Sequence, residues 1–161
     1  MSITLHDLIV DFSHLDPDAL LSDWRWLTGS DKQPILITAM GNAFLLNRAD
    51  DSVWLLDAGE GSLKPVTNSV EELEACLSDH DFVMERFLVE DFVGLREAGK
   101  RLAEGQVYGY IRPPALGGGF DIENLEPTDM QVHFSFSGQV HEQVKDLPEG
   151  TPISNISFGK A

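Results

Sequence analysis

Five histidines, His6, His14, His80, His133 and His141, are the side chains best suited to hold a metal ion or move a proton near neutral pH. No two stand at the i, i+4 spacing that lets a helix present a zinc-binding pair, and His141-Glu142 lacks the second histidine of an HExxH motif. His133 and His141 fall about two helical turns apart, yet a zinc site built on them would need further ligands. Asp79-His80-Asp81 reads as a solvated turn with Asp81 capping the next helix. Cys76 is the lone cysteine, so neither an internal disulfide nor a cysteine cluster is possible, and its place on an apolar helical stripe predicts a small buried thiol. No serine sits in a G-x-S-x-G elbow. A phosphate loop needs glycines between a strand and a helix, usually with a lysine. Gly117, Gly118 and Gly119 run instead into Phe120-Asp121-Ile122-Glu123, whose carboxylates would repel phosphate, and they read as a tight crossing of the chain beneath a neighbour. Glycoside hydrolysis needs two carboxyls at a set separation, and 27 acids supply pairs without singling one out. The expectation is a protein with no catalytic residue, no metal and no cofactor.

The acids themselves are the strongest remaining signal. Between Asp50 and Glu104 lie 14 acids against five bases, half of all 27 acids in about a third of the chain. Asp50, Asp51, Asp57, Glu60, Glu71, Glu72 and Glu74 concentrate at expected sheet turns and at the following helix start. One reading is solubility and helix capping; the other is a surface for a basic partner, with Trp54 or Phe120 as an aromatic anchor. A formal charge of −16 argues against nonspecific binding to nucleic acid or to anionic lipid and favours a basic partner.

The elements that must position these residues follow from spacing. Thr4 caps a predicted helix with Leu5, Leu8, Ile9 and Phe12 on one face, ending near His14. Asp16-Pro17 starts a second, with Leu20, Leu21, Trp24 and Leu27 inward and Gly29 past its end. Short β-prone runs follow at Ile35 to Ala39, Ala43 to Leu46, Val53 to Leu56 and Leu63 to Val66, separated by hairpin-length breaks, which predicts an antiparallel meander. Ser69 with Glu71 and Glu72 opens a helix buried through Leu73, Cys76 and Leu77; another runs from Asp81 to Leu88, and Phe92 to Leu102 continues at helical spacing until Gly105. Val107 to Ile111 returns to the sheet. Thr128 to Leu147 is compatible with strand or helix; the cap at Thr128 or Asp129 favours helix, although Gly138 inside it costs about 1 kcal/mol relative to Ala. Pro148 ends that helix, and Pro152 to Phe158 adds a last short strand. Asn124, after Glu123 and before Leu125-Glu126-Pro127, marks a corner where its side chain satisfies backbone amides of the glycine segment. Gln139 and Gln143 suit polar contacts between helices. The expected fold class is α+β, one small, mainly antiparallel sheet against several helices.

The residues from Tyr108 to Ile153 also resemble the C-terminal domain of bacterial type VI secretion immunity proteins. The resemblance rests on Pro113-Pro114 through Gly118, extended by Gly119, on Glu123-Asn124, His133-Phe134-Ser135 and Gly138-Gln139, and on Lys145-Asp146-Leu147-Pro148 with Gly150. A second anchor lies upstream, in Met40-Gly41-Asn42-Ala43-Phe44-Leu45, Trp54-Leu55-Leu56-Asp57 and Gly59-Glu60-Gly61. Together they bracket roughly Gly41 to Ile156. Larger members of the family look like they carry a separate N-terminal domain, for which this chain is too short, so nothing housed there transfers.

The resemblance implies a cytoplasmic immunity protein that binds and neutralises a cognate secreted toxin, with a nuclease as the expected class. On that reading Asp50, Asp51, Trp54, Asp57, Glu60, Glu71, Glu72 and Glu74 are the candidate toxin-binding residues. The alternative is a non-catalytic scaffold or regulatory domain of the same fold. A length of 161 residues with 42% hydrophobic content fits one compact domain, and 24% charged residues argues against disorder. Its expected parts are a helical lead-in over 1–30, a β-meander over 34–67, helices over 69–104 and a Gly/Pro-rich segment with a final helix and tail over 105–161. Asp7 and Asp11 interrupt the apolar N-terminus where a secretory signal would lie, and the uncharged run Gln33 to Asn47 contains Pro34 and Gly41 and is too short to span a bilayer. Oligomeric state is not legible in the sequence.

Overall fold

The computed structural model describes residues 2–147 and shows an α+β fold. Five strands, β1 (Ile9–Val10), β2 (Lys32–Thr38), β3 (Ala43–Asn47), β4 (Val53–Asp57) and β5 (Ser62–Thr67), form an antiparallel sheet in sequence order. Pro34 has no N–H to give, and the β2–β3 register shifts between Pro34 and Leu36. Pro65 lies on β5, the edge strand, where a missing donor is tolerated.

The sheet is covered on both faces, and strand alternation decides which residue goes where. Phe44, Val53 and the half-buried Leu36 and Leu55 pack with Phe82, Phe87, Phe92 and Leu95. Those partners come from α5 (His80–Arg86), α6 (Val89–Glu97) and the residue that follows α5. Ala43, Leu45 and Leu56 pack on the other side with Leu20, Leu21, Trp24, Met130 and Phe134. Phe134 lies on the long helix α7 (Met130–Val144), the element for which the sequence permits a strand but favours a helix. Asp129 caps α7 by accepting from the Val132 amide at 3.0 Å.

Before the sheet, the chain departs from the expected pair of helices. The first, α1 (Leu5–Leu8), stops after one turn because Ile9 and Val10, both β-branched, pair with Thr38 and Ile37 as β1. The second is broken into α2 (Pro17–Leu20), a 3₁₀ turn over Ser22–Trp24 and α3 (Arg25–Thr28). Leu20, Leu21 and Trp24 are all buried, and the Ser22 hydroxyl donates to the Ala19 carbonyl at 3.0 Å, competing with the regular ladder. Gly29, at φ 71, ends α3 as expected.

After β5, α4 (Val70–Cys76) is capped by Ser69, whose hydroxyl accepts from the Glu72 amide at 3.1 Å. Asp79, rather than Asp81, caps α5, accepting from the amides of Asp81 and Phe82. Cys76 is partly exposed rather than buried, because α4 turns Leu73 fully into the core, with Val70 packed against it. Helix α6 stops at Glu97 instead of running on to Gly105, with Gly99 at φ 80 just past its end.

A second, two-stranded sheet pairs β6 (Gln106–Tyr110) with β7 (Leu125–Asp129). The sequence reads β7 as a corner only, since its Leu-Glu-Pro-Thr-Asp lacks alternating apolar residues. The Tyr108 amide donates to the Ala39 carbonyl at 2.8 Å, tying this ribbon to the main sheet. The expected strand over Pro152 to Phe158 and the stop at Pro148 lie outside the described residues.

Candidate acidic groove

The hairpin geometry divides the candidate residues into two groups. Asp50 and Asp51 occupy the β3–β4 turn, and Thr67 pairs with Val53, so β5 delivers Glu71, Glu72 and Glu74 of α4 to that same end of the sheet. All five of these acids are exposed. Ser52 donates to Asp50 through both its amide and its hydroxyl, and the Asn68 amide donates to Glu72 at 2.9 Å, so part of this acidity organises turns and caps. Asp57 and Glu60 lie at the β4–β5 turn, on the opposite end of a strand that spans roughly 13 Å.

Trp54 adjoins the first group through Ser52 and is turned away from the second. Alternation puts it on the face opposite Asp57, its Nε1 donates to the Ser52 hydroxyl at 2.9 Å, and the Lys32 ammonium stands 4.9 Å from its ring. Phe120 is the aromatic left free, 57% exposed and edge-on to Tyr110 with ring centroids 5.7 Å apart.

At the Asp57 end three hollows adjoin. The first, about 130 Å³, is lined by Asp57, Glu60, Leu88, Asp91, Tyr110 and Phe120 among others. A second of about 200 Å³ shares Asp57, Glu60 and Leu88 and is also lined by Lys64, Glu85 and Arg86, and a third of about 350 Å³ shares Leu88, Asp91 and Glu85 and adds Glu90. Leu88 therefore stands at the centre of the groove. It joins α5 to α6 in the left-handed conformation, at φ 51, and its side chain is 36% exposed.

The electrostatics of the groove follow from burial. Asp57 Oδ1 accepts from the Gly59 and Glu60 amides at 3.0 and 2.9 Å, which builds the turn. Burial nevertheless holds the Asp57 carboxyl above the usual carboxylate range, with Glu60 adding to it. Asp91 is also raised, by burial and then by Glu90. Burial and the negative field of Asp57, Asp91 and Glu60 together push the Tyr110 phenol up to about 12. Against these carboxylates the direct ion pair is Lys64–Glu60 at 3.9 Å, between two largely exposed side chains.

Several of the residues that carried the family resemblance make contacts within the fold. Asn124 accepts from the Arg112 amide and donates to the carbonyls of Arg112 and Gly119, closing the loop that contains Pro113, Pro114 and the three glycines. A Cβ on Gly118 would run into the Arg112 carbonyl, so the expected close crossing is the loop folding onto itself. On α7, the backbone at Gly138 lies so near the 3₁₀ turn that a Cβ would stand 2.6 Å from the Asp23 carbonyl oxygen. Around it the indoles of Trp24 and Trp26 donate to the carbonyls of Phe134 and Gly138, and Gln139 donates to Ser135, which donates to Asp23. His133 and His141 reach the sheet turns, bonding the carbonyls of Gly41 and Ala58 at 2.8 and 3.0 Å. The upstream glycines Gly41 and Gly61 make room for those two rings. Pro148 and Gly150 lie outside the described residues.

Asp91, Tyr110 and Leu88 are groove residues that sequence reasoning missed. Asp91 reads as an acid in the first turn of a helix, Tyr110 as one position of a strand, and nothing local announces that a leucine will adopt positive φ. Among the described residues no group of three His, Cys, Asp or Glu side chains could hold a metal ion, and no helix is long and apolar enough to cross a membrane.

Fold and groove thus define an acidic α+β protein whose helix α7 and Gly/Pro-rich loop are locked onto the sheet by a specific set of polar contacts. Residues 67–141 match the family described as T6SS immunity protein Tdi1, C-terminal, which bears out the resemblance and supports an immunity role. The match runs from the end of β5 through most of α7, so the upstream anchor and the downstream Lys145-Asp146-Leu147-Pro148 and Gly150 fall outside it. No curated protein matches the chain. Among solved structures, the crystal structure of Atu4351 from Agrobacterium tumefaciens is similar in fold, with a TM-score of 0.58 at 19% identity over 78% of this chain and 65% of that one. The present chain therefore spans just under two thirds of that structure's length.

Proposed function

We propose that this chain is a cytoplasmic immunity protein that binds a cognate secreted toxin, expected to be a basic protein and a nuclease, and blocks it stoichiometrically without catalysis. The observation that carries the reading is the family match over 67–141, which supports an immunity role. The chain's charge of −16 and its groups of exposed acids support a basic partner. Carboxylates facing a basic cleft raise association rates from about 10⁵–10⁶ to as much as 10⁸–10⁹ M⁻¹s⁻¹ at low salt, which suits an inhibitor that must outrun its toxin. Of the candidate residues, Asp57 and Glu60 line a groove with an exposed aromatic nearby, whereas Asp50, Asp51, Glu71, Glu72 and Glu74 offer an open acidic rim.

Co-expression with the product of the adjacent gene tests the proposal. Survival of cells that the toxin alone kills, with both proteins co-purifying, is the expected result. A complex without protection would favour the scaffold alternative, and neither protection nor a complex would remove the toxin reading.

A further inference from the structure

Resting on the reading that the partner is a basic protein, we propose that the groove between the β4–β5 turn, the start of α6 and the Tyr110–Phe120 pair is a socket for one arginine side chain of that partner. The groove holds more carboxylate than cation: the exposed Lys64 faces Glu60 and Asp57, whereas among the described residues no cation faces Asp91. Asp57 Oδ1 is used by the turn, but among the described residues Oδ2 accepts no hydrogen bond, and no donor reaches the half-buried Asp91. The nearby cations are committed or loose. Arg86 lies over the Phe82 ring at 5.6 Å, and the Lys64 side chain is 67% exposed with only a 3.9 Å contact to Glu60.

The walls distinguish an arginine from other cations. A hydrated inorganic cation has no use for apolar walls, and among the described residues no three ligands gather to hold a metal ion. Phe120 and Leu88 are exposed beside the acids, and Tyr110 meets Phe120 edge to face. An arginine uses both kinds of surface, its aliphatic stem against Leu88 and Phe120 and its planar head against an aromatic ring with carboxylates at its edge. Lysine, a compact and strongly hydrated point charge, matches that mixture less well. A cavity of about 130 Å³ is far larger than a single water requires and suits a side-chain head.

The test is a titration of the full chain with N-acetyl-Gly-Arg-Gly-amide, followed through backbone and aromatic NMR shifts, with the citrulline and lysine peptides as comparisons. Saturable shifts at Glu60, Asp91, Tyr110 and Phe120 are expected, with citrulline at least about tenfold weaker and Asp91→Asn and Phe120→Ala each weakening the arginine peptide by about tenfold. Thermal midpoints of both variants check that they remain folded. Equal binding of arginine and citrulline, or no localised shifts, would overturn the socket. The same variants are then tested against the adjacent gene's product. If that protein binds wild type and both variants alike and is neutralised by each, the socket is wrong and the toxin reading stands. If the peptide binds as expected but that protein does not bind at all, the socket stands and the toxin reading fails.

Discussion

Gly138 shows how one residue's meaning depends on what lies across from it. Within α7 a glycine is a weak helix former, and replacement by alanine would gain about 1 kcal/mol on propensity alone. The Asp23 carbonyl reverses that sign, since it is main chain and would stand 2.6 Å from the new methyl. Gly138→Ala is therefore expected to lose about 1–3 kcal/mol of stability by denaturant unfolding. Wild-type stability or better would show that α7 can move off the 3₁₀ turn at no cost. Asn124 is the opposite case, because its role was legible: an Asn at a sequence corner bonds nearby backbone, and three such bonds close the loop. Asn124→Ala should lower stability by about 2 kcal/mol, and Asn124→Asp, which cannot donate, should recover little of it. The close approach at Gly138 was not legible, since it depends on a residue 115 positions earlier in the chain.

At the scale of elements, α7 is pinned to the sheet by His133 and His141, one ring on each of two hairpin turns. Burial lowers both histidines, with the bonds to Gly41 and Ala58 opposing it only in part. The unfolded chain then takes up protons before the folded one. Stability should be unaffected by these groups above the unfolded value of about 6.5, and be lost as pH falls below it toward the depressed folded values. Asp57, raised by burial, works in the other sense, because its strained charge is relieved as acid protonates it. A falling denaturant midpoint between pH 7 and pH 5, flattened in His141→Gln, is the expected outcome; a midpoint that holds or rises would contradict the pinning role. The four strands of the meander were legible because hairpin turns punctuate short β-prone runs, and the capped starts of α4 and α7 were legible as well. The broken helix α2–α3 and strands β1 and β7 were not, because tertiary pairing and the burial of Trp24 overrode local periodicity.

At the scale of the whole molecule, the sequence shows where acids are dense but not that β4 separates them into two groups. The rim and the groove make different predictions. If the rim steers a partner, Asp50, Asp51, Glu71 and Glu72 changed together to lysine should slow association about tenfold or more at low salt and flatten its salt dependence, while leaving dissociation nearly unchanged. An unchanged association rate would leave those four acids as turn and cap residues. Asp57 and Asp91, being partly buried, should act mainly on the dissociation rate.

The most direct test of the account is to mix the purified chain with the adjacent gene's product and measure association, stoichiometry and residual toxin activity across ionic strength. The account predicts a stoichiometric complex that silences the toxin and forms fastest at low salt. A toxin that stays active in the presence of excess chain, or a complex whose formation ignores salt, would contradict it.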